Sequence, residues 1–374
     1  MKQLQASTSY SRRTFARNCL LCAGGLAMGF STRQRTDRHI KEALFYEKTA
    51  HGLQCRKCPH ECVLEEGETG ICRNRVNRGG VMYSTAYGNP CAVHIDPIEK
   101  KPFFHFLPGT RAYSIAAAGC NLRCLNCQNW QISQVTPAET LNDDLMPDAV
   151  VTECIAERCE SIAYTYSEPT TFYEYTLDTS AIARERKIKN LLKSSGYIND
   201  APLRKLSRTL DAANIDLKAY DDDIYRRLSG ARLAPVLHTL KVLKEEGVWL
   251  EITNLVIPRW TDDMDLIRRM CDWLASNGFT ETPLHFSRFI PLYKLTQLPL
   301  TPVAVLERAH EIARKAGLQY VYIGNVPDHA AESTFCPSCK KVVIERRGFS
   351  IRSRHITDGR CDHCKQTIAG VWGT

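Results

Sequence analysis

Cys120, Cys124 and Cys127 stand in the run Gly119-Cys-Asn-Leu-Arg-Cys-Leu-Asn-Cys-Gln-Asn-Trp130, directly after an apolar segment of strand character. Three thiolates at Cys-x3-Cys-x2-Cys spacing can hold three irons of a 4Fe-4S cluster and leave the fourth iron open to another ligand. An electron-transfer cluster or a structural zinc site instead recruits a fourth protein ligand. Glycine and polar residues surround the three cysteines, which argues against a chance group of core thiols.

Two further cysteine sets carry metal-ligand spacing. Cys55-x2-Cys58-Pro-His-Glu-Cys62, followed by Cys72 after Gly67 and Gly70, lies in a turn-rich segment. Four thiolates there could close a zinc site, hold a rubredoxin-like iron or bind another cluster, and the spacing does not choose among them; a structural role is the expectation, with redox relay as the alternative. Cys336-Pro-Ser-Cys339 and Cys361-Asp-His-Cys364 form two knuckles, the pattern of a zinc ribbon in which a hairpin returns the second pair to complete a tetrahedron. Cys91, Cys154, Cys159 and Cys271 lack such spacing and read as buried thiols. The chain has 17 cysteines, but their grouping points to metal rather than to a disulfide framework.

Other polar residues fall where strands should end. Tyr164-Thr-Tyr-Ser-Glu-Pro-Thr170 offers Ser167, Glu168 and backbone carbonyls to a ligand's ammonium, with Pro169 stiffening the turn. Asp216 and Lys218 lie two apart on one face, able to meet an ammonium or hydroxyl and a carboxylate, or to pair with each other. Glu251 and Thr253 share a face of the next strand, and His285 joins the same rim or is a satisfied core histidine. His105, among Phe103, Phe104 and Phe106, reads as a packed histidine in a linker running from Asp96 to Gly109.

The 374 residues suffice for one large catalytic domain with small modules. Of the formal charge of +8, residues 1–40 supply +6 (seven Lys/Arg, one Asp), which leaves the body at +2 and gives no case for nucleic-acid binding. That leader holds Ser11-Arg12-Arg13-Thr14-Phe15 before a short Gly/Ala-rich apolar run from Cys19 to Phe30, and it resembles a twin-arginine export signal. Export to the periplasm is one expectation; a cytoplasmic enzyme with a basic leader is the other.

Strand-like runs at 112–118, 161–166, 189–194, 212–217, 248–257, 283–289 and 319–323 alternate with amphipathic stretches at 147–158, 170–186, 200–208, 232–246, 263–276 and 302–316. Thr301 is expected to cap the last helix, with Pro302 at its first position. The alternation predicts an α/β fold of right-handed crossovers, with a parallel sheet curled into a full or partial barrel and a site at the C-terminal strand ends. The expected organisation is a leader at 1–34, a Cys-rich module and linker at 50–110, the barrel at 111–328 and a zinc-ribbon-like module at 329–374.

In order along the chain, the triplet, Tyr166-Ser-Glu-Pro169, Asp216-Leu-Lys218, and Val256-Ile-Pro258 with Thr261-Asp-Asp263 resemble radical S-adenosylmethionine (SAM) enzymes of the pyruvate formate-lyase activating type. Adding Cys58-Pro-His-Glu-Cys62, Asp96-Pro-Ile-Glu-Lys-Lys101, Cys127-Gln-Asn-Trp130, His285-Phe-Ser-Arg-Phe289 and Tyr322-Ile-Gly-Asn325, the chain is similar from Cys55 to Trp372 to the AmmeMemoRadiSam system radical SAM enzymes.

The resemblance implies a partial (β/α)6 TIM-type barrel and a 4Fe-4S cluster on Cys120, Cys124 and Cys127. It also implies SAM as the ligand of the open iron, cleaved to a 5'-deoxyadenosyl radical. Ser167, Glu168, Ser195, Asp216, Lys218, Thr253 and His285 become expected cofactor contacts. A reductant such as flavodoxin or ferredoxin, and Memo- and AMMECR1-type proteins, become expected partners, with a protein or small molecule as target. The chain departs from the usual pattern at Asn126, where an aromatic commonly precedes the last cysteine. It departs again at Lys193-Ser-Ser-Gly-Tyr197, where an apolar residue and Thr-Asn-Gly-Tyr are usual, and at Arg259 in place of glycine. The competing classes are an electron-transfer protein using all the cysteine sites and a zinc scaffold that has lost catalysis.

Overall fold

The computed structural model describes residues 38–373; the arginine pair and leader lie outside these. At the centre is an eight-stranded sheet in sequential order. Its strands are β1 (Ala92–Pro97), β2 (Arg111–Ala116), β3 (Ser161–Tyr164), β4 (Lys189–Ser194), β5 (Ala212–Asp216), β6 (Trp249–Val256), β7 (Leu284–Arg288) and β8 (Val321–Gly324). Only β1 with β2 is antiparallel; from β2 onward every pair is parallel. The two end strands do not pair, so the sheet does not close into a full barrel. Strands such as Ser-Ile-Ala-Tyr164 are buried along their whole length, as expected of parallel strands covered on both faces.

The crossovers contain α1 (Pro147–Ala156), α2 (Tyr173–Glu185), α3 (Asp200–Ser207), α4 (Asp222–Ser229), α5 (Leu233–Glu245), α6 (Met264–Ser276) and α7 (Val303–Lys315). The expected strands and helices all form, with ends shifted by a few residues. Two elements escape the sequence pattern. Strand β1 carries a His, an Asp and a Pro, and α4 is short and rich in Asp and Arg, with Tyr225 and Leu228 buried on one face. Helix α4 is also fixed at its ends: the Asp221 side chain accepts from Ile224 N, and Gly230 closes it in the left-handed region. At α7 the expectation fails. Pro302 is the cap residue, and Thr301 turns away to donate to Val256 O (2.6 Å) and accept from Phe289 N (3.2 Å).

The segment read as a linker is the floor of the barrel. Ile98, Phe103 and Phe106 pack on Ala112, Ala163, Leu191 and Ala212, small or aliphatic residues near the N-terminal ends of β2 to β5. Burying one such Phe contributes roughly 2–3 kcal/mol, enough to hold an irregular segment there. Its polar backbone is matched by the buried Glu251 carboxylate, which accepts from Phe104 N and His105 N at 2.8–3.0 Å. Asn214 also donates to Pro102 O (2.8 Å).

The C-terminal module docks underneath. Arg346 donates to Phe104 O (2.7 Å), while Val371 N meets His105 O and Leu107 N meets Val371 O, both at 2.7 Å. His105 is the packed histidine expected. Its Nδ1 donates to Ala369 O (2.6 Å), so in the neutral ring Nε2 accepts from Tyr322. Burial pushes it down to about 4, against an opposing pull from Glu251.

Candidate active site

The triplet occupies the loop above the end of β2, at the C-terminal mouth of the barrel. Gly119, just before it, has φ +97°, and a Cβ there would sit 2.5 Å from Cys72 O and 2.7 Å from Asn74 Oδ1. Only glycine lets the cysteine loop approach the N-terminal module this closely. The loop is anchored to α4, since Arg123 N and Leu125 N donate to Ser229 O and Leu228 O at 2.8 and 2.9 Å. Cys127 N closes a turn onto Cys124 O (3.2 Å), and Leu122 N points at Cys120 Sγ (3.3 Å).

Burial, with Glu168, Cys124 and Cys127 adding to it, holds the Cys120 thiol well above the ordinary range. Burial and Cys124 raise Cys127, while Lys218 opposes them. The three thiols thus lie within electrostatic reach of one another on a single loop, with a cation at hand. Asn126 adds a buried side-chain oxygen with no partner. Three soft donors on one loop, with backbone N–H groups turned toward sulfur, fit an iron–sulfur cluster.

The neighbouring strand ends supply the rest of the mouth. The buried Glu168 carboxylate ties the ends of β3 and β4 together, accepting from Thr170 N (3.0 Å), Ser194 Oγ (2.7 Å) and Ser195 N (2.8 Å). Gly196, φ +68°, leaves no room for a Cβ beside Ile215. Ser167 donates to Ala117 O (2.6 Å), and Ser195 Oγ receives Tyr197 N (3.4 Å), so both serines brace the mouth through the turns next to the triplet. Tyr166 holds φ +61° and its carbonyl receives Asn129 Nδ2 (2.6 Å), joining this turn to the end of the cysteine loop.

Asp216 and Lys218 pair with each other, the second of the two readings the sequence left open, Lys218 Nζ lying 3.0 Å from Oδ2. The residue that sequence reasoning set aside is Lys193. It points inward, paired with Asp216 Oδ1 and donating to Asn214 Oδ1 (2.6 Å), which also receives Thr253 Oγ1 (2.8 Å). Burial alone would raise Asp216, yet Lys193 and Lys218 draw it down to about 2. Burial lowers Lys193 against the pull of Asp216. An inward-facing lysine where the strand pattern wants an apolar residue was the available signal.

A second buried group lies deeper. Lys101 reaches Asp96 (2.5 Å) and sits 3.9 Å from the Tyr166 ring centroid, and Tyr166 hydrogen-bonds Asp96 in turn. Burial brings Lys101 down to about 8 against Asp96. The sequence carried Asp96 and Lys101 in the supposed linker and in a motif of the resemblance, and Tyr166 in the turn after β3, with nothing to join them.

His285 is a correction. Its Nε2 donates to Glu251 (2.7 Å), and its ring stacks on Tyr322 (5.0 Å, 23°) and meets Phe104 edge-on. It belongs to the floor network rather than to a rim open to a cofactor. Cys91 is only half-buried, whereas Cys154, Cys159 and Cys271 are fully buried as expected. At the opposite end of the molecule, Cys336, Cys339, Cys361 and Cys364 place their sulfurs within 4.8 Å of one another. Two of the cross-knuckle distances are 3.5 and 3.8 Å. A cavity of about 660 Å³ lies beside this module, against His310 of α7 and Tyr320, and is remote from the triplet chemistry.

Residues 114–271 match the model of the radical SAM superfamily. A protein of Methanocaldococcus jannaschii, itself described as uncharacterized, is 46% identical over 332 residues, covering 88% of this chain and 99% of that protein. The pyruvate formate-lyase 1-activating enzyme of Escherichia coli K12 is 25% identical over 167 residues, covering 44% of this chain and 68% of that enzyme. Among solved structures, Streptococcus suis SuiB bound to S-adenosylmethionine aligns over 64% of this chain and 56% of that one, at 15% identity and a TM-score of 0.47.

Proposed function

Because the chain belongs to the radical SAM superfamily and is homologous to pyruvate formate-lyase activating enzymes, we propose that it is an activating-enzyme-like catalyst that abstracts hydrogen from a protein or small-molecule target. The observation that carries the reading is the convergence of Cys120, Cys124 and Cys127 on one anchored loop beside Glu168 and Lys218. A 4Fe-4S cluster held there supplies one-electron cleavage of the SAM sulfonium. The chain's own part is to position and shield. Asp216, kept ionised by two lysines, is a fixed anion for SAM's ammonium or hydroxyls, and Lys218 a fixed cation for its carboxylate. Glu168 holds the β3 and β4 turns in register so that their carbonyls line the mouth. Anaerobic reconstitution with iron, sulfide and SAM tests the reading: reduced protein should release 5'-deoxyadenosine, and absence of that product from cluster-loaded protein would refute it.

Zinc is the metal we assign to Cys336, Cys339, Cys361 and Cys364. A Zn–S bond of about 2.3 Å in a tetrahedron puts sulfurs roughly 3.8 Å apart, which is the spacing this module keeps. The reductant is a flavodoxin or ferredoxin, and Memo- and AMMECR1-type proteins are the partners to test first by co-purification. Arg12 and Arg13 direct export in this reading. A reporter fused to the leader should stay in the cytoplasm when both become Lys, and equal export of the variant would sink the idea.

A further inference from the structure

The radical SAM reading leaves Cys55, Cys58, Cys62 and Cys72 without a task. Three of them are at most 6% exposed, and Cys62 is half-buried. They converge from three turns. Cys55 N donates to Cys62 O (2.9 Å), Glu61 N closes the intervening turn onto Cys58 O (3.0 Å), and Gly70 N bonds Arg75 O (2.8 Å) across the loop that presents Cys72. Cys55 and Cys62 pack in one buried cluster with Leu53, Leu64 and Met82, and a Cβ on Gly70, two residues before Cys72, would meet Cys62 Sγ at 3.8 Å. Yet the set differs from the C-terminal tetrad. Among the described residues, that tetrad is the group whose ligand atoms all fall within 4.8 Å of one another. Four thiolates that converge but stand farther apart are too wide for one zinc ion and suit a multi-iron cluster, whose sulfur ligands each bind a different metal corner.

The second observation is where these turns point. His60, between Cys58 and Cys62, meets Asn121 O (2.7 Å). Asn74 donates to Ala118 O (2.7 Å), and Arg73 reaches Cys120 O (3.4 Å). The Cys72 carbonyl fills the space that a Cβ on Gly119 would occupy. Residues beside the second thiolate set thus grip the very backbone that carries the first. A merely structural knuckle has no need of that contact, whereas a redox centre gains from it, because only a few backbone atoms then separate the two sets.

We propose that Cys55, Cys58, Cys62 and Cys72 ligate a second iron–sulfur cluster that relays single electrons from a low-potential donor protein to the cluster on the triplet. The donor loses one electron, the second cluster gains it and passes it on, and the first is reduced by that one electron; no bond or proton moves. The proposal rests on the radical SAM reading of the triplet, and the test separates the two.

The full chain is reconstituted anaerobically in three forms: native, a Cys120→Ala/Cys124→Ala/Cys127→Ala variant, and Cys62→Ala. The triple variant should keep about four irons with matching sulfide and a reducible cluster spectrum that SAM does not perturb. Cys62→Ala should keep the SAM-perturbed spectrum, and with dithionite its 5'-deoxyadenosine yield should be little changed. With reduced flavodoxin as donor the same variant should slow at least about tenfold, the scale of losing one productive interaction. A triple variant that binds zinc or no iron overturns the second cluster, whatever Cys62→Ala does. An unchanged flavodoxin-driven rate in a Cys62→Ala protein that has lost the second cluster's irons overturns the relay. A native protein whose spectrum ignores SAM overturns the underlying reading and leaves the second cluster to be judged by the triple variant's iron.

Discussion

The tetrad at the C-terminus and the triplet at the barrel mouth are made of the same side chain and do opposite things with it. The tetrad's sulfurs stand within 4.8 Å of one another on two knuckles packed with their own small hairpins and the barrel floor. Such a site is closed: four ligands saturate a tetrahedral ion and leave no position for substrate. The triplet comes from one loop, shares its space with Glu168 and Lys218, and has no fourth cysteine beside Cys127. In the proposed reading, reactivity depends on what the protein withholds, a fourth thiolate, as much as on what it provides.

The largest effect should come from Cys124→Ala, which removes a ligand from the open site. SAM cleavage should fall to background, measured as 5'-deoxyadenosine, while metal analysis finds the tetrad still filled. Next is Cys336→Ser. It should lose about one equivalent of zinc per chain and melt the ribbon, with the triplet's iron unchanged. Loss of iron with zinc retained would erase the contrast. Asp216→Ala should weaken SAM binding about tenfold, the worth of one charge-assisted contact, at unchanged iron content. Unaltered affinity in a titration would return Asp216, Lys193 and Lys218 to a rim ion-pair role.

A further effect is a pH dependence under the ribbon. His105 is held at about 4, below the 6.5 of a free histidine. The unfolded chain therefore takes up a proton first. The neutral ring's contribution is fully present above about pH 6.5 and is lost as pH falls toward 4, on the order of 3 kcal/mol at the end of the range. Denaturation midpoints across that window should show the slope, and His105→Gln should flatten it.

Much of this was legible because it is local. Ligand spacing needs no fold, and strand-helix alternation survives in buried runs such as Ala212–Asp216. What was illegible needed three-dimensional neighbours. Phe103 to Phe106 read as a linker because no periodicity marks a segment held by Glu251, a residue some 147 positions away. Lys193 looked like a departure from pattern until Asp216 of the adjacent strand gave it a partner. His285 could have faced the mouth or the floor, and Glu251 and Tyr322 decided it. Helix α4 is only eight residues long, and its anchoring of Arg123 and Leu125 runs through backbone carbonyls, so it could not be read ahead.

The pairing of the floor with the C-terminal tail sets a schedule for biogenesis. His105 and Ala369 are 264 residues apart, so the barrel's underside is completed only after the last knuckle has left the ribosome. Contacts of such long sequence separation form late, and the chain must wait with its strand ends uncovered and its thiols exposed to stray metal and oxidants. Metal capture by the tetrad would then act as the final clasp, coupling the cell's supply of that ion to the moment when the catalytic loop above acquires a finished barrel beneath it.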